Sequence, residues 1–538
     1  MAETLLSPGV LTRENDQSQI TQGPVTAGAA ILGPTVKGPV EVPTLVTSYS
    51  DYINRFGGTF ISGGTSQEYL TSISAYNYFQ QGGSTLLVTR VVDNTFTAAS
   101  SSFISASSPS LTSSVFVLET LSEGVIMNST TGSIDNVKWE IVGSNTGSGT
   151  FSLLVRRGDD NNNSKVILES WSNLSLDPNQ PNYIEAVIGN QTVDTSQGYV
   201  NIGGDYTNKS RYIRVKQVNY TTPNYFDNNG TPVSAYTGSI PTVSSGLFGG
   251  ATGNLTALTI NGGAYTSSIN LLSNKDEFRF NVITVPGQIS GSAVTGITTL
   301  ATDRGDCIAV IDVTAKGDNV LTAVENAASY DNSYATTYYP WVQVTAPNTG
   351  KLTWVPPSTV IPGMYAFNDR VGGPWFAPAG FLRGGLNVIQ AERKLSPTDR
   401  DTLYQGRINS LATFPGQGVV AYGQKTLQKK ASALDRVNVR RLLIELKTFI
   451  GQIGNSLVFE QNTIATRNRF LSQVNPYLDS IQQRQGLFAY KVVMDDSNNT
   501  ADVIDRNQLV GQIFIQPTRT AEFIILDFNV TPTGASFE

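Results

Sequence analysis

The sequence predicts a multidomain α/β protein with a β-rich surface insertion and extended terminal arms. Three observations lead there. Helix-like and strand-like periodicities alternate over residues 25–93 and return after Lys275. Between them the texture changes to Ser, Thr, Asn and Gly with short apolar runs. The chain opens on a polar stretch and closes on a strand-like run followed by a short tail. With 538 residues it exceeds what one ordinary hydrophobic core organises.

The elements follow in order. Residues 1–24 read as a linker arm, in which Pro8, Gly9, Val10 and Leu11 form an extended piece that becomes a strand only if another sheet accepts it. Residues 25–93 read as the first part of an α/β core. Val25–Leu32 and Thr44–Thr47 are strands, Ser48 caps a short helix ending before Gly57, a second helix starts at Ser66 and stops at Gly82, and Leu86–Val92 is a strand. Residues 94–274 read as an outward-facing β insertion of one or two lobes, with strands at 115–118, 137–142, 151–155, 183–188, 212–218 and 255–260.

Residues 275–520 carry the main α/β core. Strands are expected at 278–283 and 307–313 and a helix beyond Asp318. Ser396-Pro397-Thr398-Asp399 is a helix start, because Pro suits the first helical position and Asp faces the free amides. Val437–Gly454 is an amphipathic helix with Leu442, Leu446 and Ile453 inward and Arg441 and Lys447 outward. A second long helix contains Pro476, an expected kink. Strands at 487–493, 509–516 and 521–530 close the chain, 521–538 being a terminal strand and tail.

Composition restricts function. There is no histidine, which removes Ser-His and Cys-His catalysis, histidine-ligated haem and the common zinc hydrolase sites. The single cysteine, Cys307, lies in an apolar run and reads as a buried thiol; no disulfide or cysteine metal cluster can form within one chain. The formal charge of -6 gives no general attraction to nucleic acid or acidic lipid. Proteins are therefore the expected partners, and with charged residues at 14% of the chain, against about 25% in an ordinary domain, Ser, Thr, Asn, Gln and Gly must cover much of the surface. No leader-like or membrane-spanning run is seen, and a soluble product is expected in the compartment of synthesis. No enzyme activity, cofactor or metal is expected.

Several motifs have a structural reading beside a chemical one. Asn348-Thr349-Gly350-Lys351 lacks the earlier glycine and the following hydroxyl of a phosphate loop, and reads as a turn before a strand. Asp159–Asn163 and Asp495–Asn499 lack the glycine and glutamate of a calcium loop and read as solvated turns. A carboxylate pair across a cleft remains open by inventory alone. Trp171, Tyr183, Tyr212, Tyr220, Tyr225 and Phe226 read as β-core packing, with stacking on sugars as the alternative. Arg436, Arg440, Arg441 and Lys447 belong to a basic cluster, read either as solvated and intrachain charge or as a protein-docking strip.

A distributed set of segments resembles contractile tail sheath proteins, the family of phage, R-type bacteriocin and related injection-system sheaths. It includes Ser7-Pro8-Gly9-Val10, Ala29–Gly33, Phe56-Gly57-Gly58, Tyr338-Tyr339-Pro340-Trp341-Val342, Trp375–Gly380, Phe414–Gly418, Val437–Leu442 and Pro517–Ile524. The resemblance covers roughly 1–92 and 275–538, and 93–274 stands where the family carries variable outward insertions. It implies a non-enzymatic subunit of hexameric rings, stacked helically around a tail tube, which contracts on a baseplate trigger. It further implies neck or terminator partners and strand exchange between neighbours through Pro8, Gly9, Val10 and Leu11 at one end and Phe523, Ile524, Ile525 and Leu526 at the other; with a tail tube as partner, Arg436, Arg440, Arg441 and Lys447 become the candidates for docking it. The implied location is the virion tail, assembled in the bacterial host cytoplasm. A tail tube or capsid subunit and a carbohydrate-binding module are the alternatives.

Overall fold

The computed structural model describes residues 25–62, 64–93, 95–104, 114–253 and 260–523. The Pro8–Leu11 and Ile524–Leu526 elements lie outside these residues.

Alternating apolar runs build one mixed eight-stranded sheet. Its strands in chain order are β1 Ala29–Gly33, β2 Thr44–Val46, β3 Leu86–Arg90, β4 Val282–Thr284, β5 Ile308–Ile311, β6 Ala335–Tyr339, β7 Asn409–Phe414 and β8 Gly418–Ala421. In space the order is β8-β7-β6-β5-β4-β1-β3-β2. Every pairing from β7 across to β3 is parallel, and only the two outermost are antiparallel.

Parallel strands need both faces covered, and the period of two delivers this. In β5, Ile308 and Val310 enter one core while Ala309 and Ile311 enter the other. One face packs against α3 Ser292–Arg304 and α4 Val320–Ala328; the opposite face packs against α1 Tyr49–Phe56, α2 Leu70–Gln80 and α5 Ile361–Val371. Cys307 is buried, and burial pushes its thiol up to about 12.

Local signals act as their chemistry dictates. Ser48 accepts from the Asp51 amide at 3.1 Å to start α1, and Gly57, at φ 74°, ends it. Ser396 and Asp399 form a reciprocal capping box on α6 Pro397–Gln405. The expected helix start at Ser66 is wrong, because Thr65–Gln67 pairs with Phe60–Ser62 in a hairpin and α2 begins only at Leu70.

The insertion has a core of its own, in which Phe103 and Phe116 of a three-stranded sheet meet Trp139 and Phe151 of a four-stranded one. The two sheets share this core. Residues 184–188 are a short helix, not a strand, with Ile184 and Ile188 buried. Ile260, Tyr265, Ile269 and Leu272, assigned to the insertion from sequence, pack in the main core instead. At the seam, buried Arg90 donates from Nη1 to the carbonyls of Gly38 and Glu123, at 2.6 and 2.9 Å. Burial lowers its guanidinium to about 10.

Candidate functional site

Two long helices carry the C-terminal unit. α7 Val437–Asn455 and α8 Ile464–Gln483 pack through Leu446, Ile453, Phe470, Val474 and Leu478, and α8 continues through Pro476. On α8 lies a hairpin of β9 Leu487–Val493 and β10 Gln512–Pro517. The Tyr490 hydroxyl fixes it by donating to Asp479 Oδ1 at 2.6 Å. Ile513 and Ile515 turn towards the helices, whereas Phe514, 57% exposed, stands on the opposite side and Phe488 is 75% exposed.

Among the described residues neither β9 nor β10 pairs with a further strand. A two-stranded sheet with free outer edges is a template for strand addition. Phe523, expected in an exchanged strand, is exposed and outside regular structure, with its ring edge-on to Tyr404 at 6.0 Å.

The basic cluster does not form an outward strip. Arg441 forks onto Asp369, with Nη1 to Oδ1 at 2.7 Å, and its guanidinium lies over Tyr365 at 4.7 Å. Burial works against its charge, yet Asp369 holds it above the usual arginine range. Arg440 is buried over Tyr334 at 4.0 Å, and burial lowers it. Arg436 is bound to Asp435 and Glu522. Lys447 alone of the four is exposed, its ammonium 3.1 Å from the Tyr334 hydroxyl. The outward placement of Arg441 fails because a guanidinium with a carboxylate and an aromatic face at hand is satisfied inside.

Other motifs resolve structurally. Asn348 sits in the turn between Val342–Thr345 and Leu352–Val355, and its amide donates to Glu68 Oε1 at 2.7 Å and the Tyr49 hydroxyl at 2.6 Å. It staples this hairpin to α1 and α2. Asp160 is not solvated: its buried carboxylate takes Arg156 Nη2 at 2.8 Å and Lys138 Nζ at 2.6 Å. Of the six proposed sugar-stacking rings, Tyr183 and Tyr225 are buried, Trp171, Tyr212 and Tyr220 half-buried, and Phe226 exposed. Among the described residues no group of His, Cys, Asp or Glu is arranged to hold a metal, and no helix is long and apolar enough to cross a membrane.

Comparison with known proteins decides the family. The phage tail sheath protein central domain matches residues 260–427 and the phage tail sheath C-terminal domain matches 429–531, together half of the chain. The chain belongs to the phage tail sheath family. Within that family it is similar to the tail sheath protein of Vibrio phage KVP40, 43% identical over 187 residues that make up 34% of this chain and 28% of that protein. It is also similar to that of Salmonella phage ViI, 32% identical over 248 residues, 44% of this chain and 39% of that one. The match thus spans well under half the length of these relatives.

At the level of fold, this sheath-family chain resembles the sheath tail protein of Listeria innocua, with TM-score 0.56 and 12% identity over 91% of this chain and 95% of that one. It likewise resembles the contracted helical sheath of the anti-feeding prophage, with TM-score 0.51 and 16% identity over 97% and 98%.

Proposed function

We propose that the chain is a structural subunit of a contractile tail sheath, polymerising as stacked hexameric rings around an inner tube and contracting to drive that tube through the target envelope. The observation that carries this reading is the hairpin 487–493/512–517, neither strand of which pairs with a further strand among the described residues. The donors are the Pro8–Leu11 arm and the Phe523–Leu526 strand of neighbouring subunits. About five backbone hydrogen bonds per connection, each with a net of about 1 kcal/mol, give on the order of 5 kcal/mol. Added strands keep their pairing while compact bodies rotate, so a mesh stays joined through a large rearrangement.

Energy for contraction then resides in the difference between two sets of subunit interfaces. The partners are the subunit itself, the tail tube, a baseplate and a neck or terminator protein, in a virion tail assembled in the host cytoplasm. A charged contact with the tube falls to Lys447, since Arg440 and Arg441 are enclosed within the subunit. Removing residues 1–18 tests the reading. The truncated chain should be soluble and melt cooperatively yet form no long sheaths in negative stain. Long ordered tubes from it would overturn the linkage.

A further inference from the structure

After β10 ends at Pro517 the chain does not simply trail away. Within five residues it is caught by three elements of the main body: Tyr404 on α6, Gln424 just beyond β8, and Arg436 at the start of α7. The Glu522 carboxylate receives two donors on each oxygen. Oε1 accepts from Arg436 Nε at 2.7 Å and Gln424 Nε2 at 3.1 Å; Oε2 accepts from Arg436 Nη2 at 3.0 Å and the Tyr404 hydroxyl at 2.9 Å. Gln424 Nε2 also donates to the Thr520 hydroxyl oxygen at 2.6 Å. The Tyr404 ring is shared: the Lys425 ammonium sits 3.5 Å from its centroid and Phe523 meets it edge-on.

An exposed ion pair between two long side chains often contributes nothing measurable. This one differs in kind, because a bidentate guanidinium fork joins a hydroxyl and an amide on one carboxylate, with both charged side chains largely shielded, at 23% and 22% exposure. Burial would raise the Glu522 carboxyl, but Arg436 and the neutral donors hold it below the ordinary range, so the contact stays charged at neutral pH.

We propose that Tyr404, Gln424 and Arg436 form a seat that fixes the root of the C-terminal extension through Glu522, so that the exchanged strand leaves each subunit from its main body and not from its own hairpin. The proposal rests on the strand-exchange reading above and adds how the strand is coupled to the body. Residues 518–523 released from the seat would add up to about 20 Å of extended chain between subunits, at roughly 3.4 Å per residue. With the seat closed that slack is absent, and a rotation of the eight-stranded body pulls directly on the neighbour. Arg436 and Tyr404 are thus positioning residues for the linkage.

The full chain tests it in two states. In unassembled subunits, trypsin cleavage after exposed Arg519 reports release of the segment from the body. Glu522→Gln and Arg436→Gln should each speed that cleavage by about 10-fold or more at an unchanged cooperative melt, the loss expected for a charge-assisted contact. The exchanged pair Arg436→Glu with Glu522→Arg should bring cleavage after Arg519, resolved by fragment mass from cleavage at the arginine introduced at 522, back towards the parent rate. In assembly, the single variants should polymerise into sheaths whose ring spacing is irregular in electron images, while the exchanged pair restores regular spacing. Cleavage and spacing unchanged in both single variants would overturn the seat. A chain ending at Phe523 keeps the seat and lacks the strand. Long sheaths from it would overturn exchange through the C-terminal strand, while the cleavage assay would still report on the seat.

Discussion

The eight-stranded sheet and the two-stranded hairpin lie in one chain and obey opposite rules. The large sheet is finished. Helices cover both faces, edge strand β2 is three residues long, and edge strand β8 is covered by residues 384–386, where the Leu386 amide donates to the Val419 carbonyl at 3.1 Å. The hairpin has one face on the helices and, among the described residues, no further strand along either edge, although the Gln482 side chain donates to the Phe488 carbonyl at 2.9 Å. A soluble protein normally protects such edges. Among the described residues both outer edges of this hairpin lack a strand partner, which is what the proposed pairing with neighbours requires.

That contrast can be broken at the closed end first. Arg441→Ala leaves Asp369 without its fork and empties the space against Tyr365, so thermal or denaturant unfolding should show a loss of about 3 kcal/mol, the scale for breaking a largely buried pair. If Arg441 were an outward docking residue, the change would stay within about 0.5 kcal/mol.

Next in size is Asp312, buried beyond the end of β5, where its carboxylate takes the Ser358 amide at 3.1 Å. Burial pushes this carboxyl up to about 6. With its folded value above an unfolded value of about 3.9, the group's stabilising contribution is complete below about pH 4 and is lost as pH rises through about 6, with about 2 kcal/mol of it falling between pH 4.5 and 7.5. Relative to Asp312→Asn, the parent should therefore gain stability between pH 7.5 and about 4.5; parallel melting curves across that range would contradict it. At the open end the effect on the subunit should be smallest. Phe514→Ser should alter unfolding by less than about 0.5 kcal/mol, since the ring is mostly solvated, yet lower the yield of sheaths measured by sedimentation.

The same contrast decides what the sequence discloses. The continuous apolar runs at Ala29–Gly33 and Ile308–Ile311, the Ser48 and Ser396 caps and the apolar face of α7 are local patterns, and each is legible because the element's own residues cause it. Arg441 misleads because its partner Asp369 is 72 residues away, and no periodicity encodes a distant carboxylate. Ser66 resembles a helix start, but a hairpin through Gly64, at φ 75°, claims those residues first. Tyr183–Ile188 has strand-forming residues, and tertiary burial of Ile184 and Ile188 makes a helical turn of them instead. The hairpin strands were readable; their free edges were not, since an unpaired edge is a property of what lies beside a strand. The Glu522 seat is equally hidden, its donors coming from positions 404, 424 and 436.

The claim that neighbours complete the hairpin is tested most directly by hydrogen–deuterium exchange over residues 487–493 and 512–517, comparing free subunits with assembled sheaths. The outward-facing amides of both strands should slow by about 100-fold or more on assembly, while those of the central parallel strands stay as protected as before. Equal exchange of the hairpin in the two states would contradict the account.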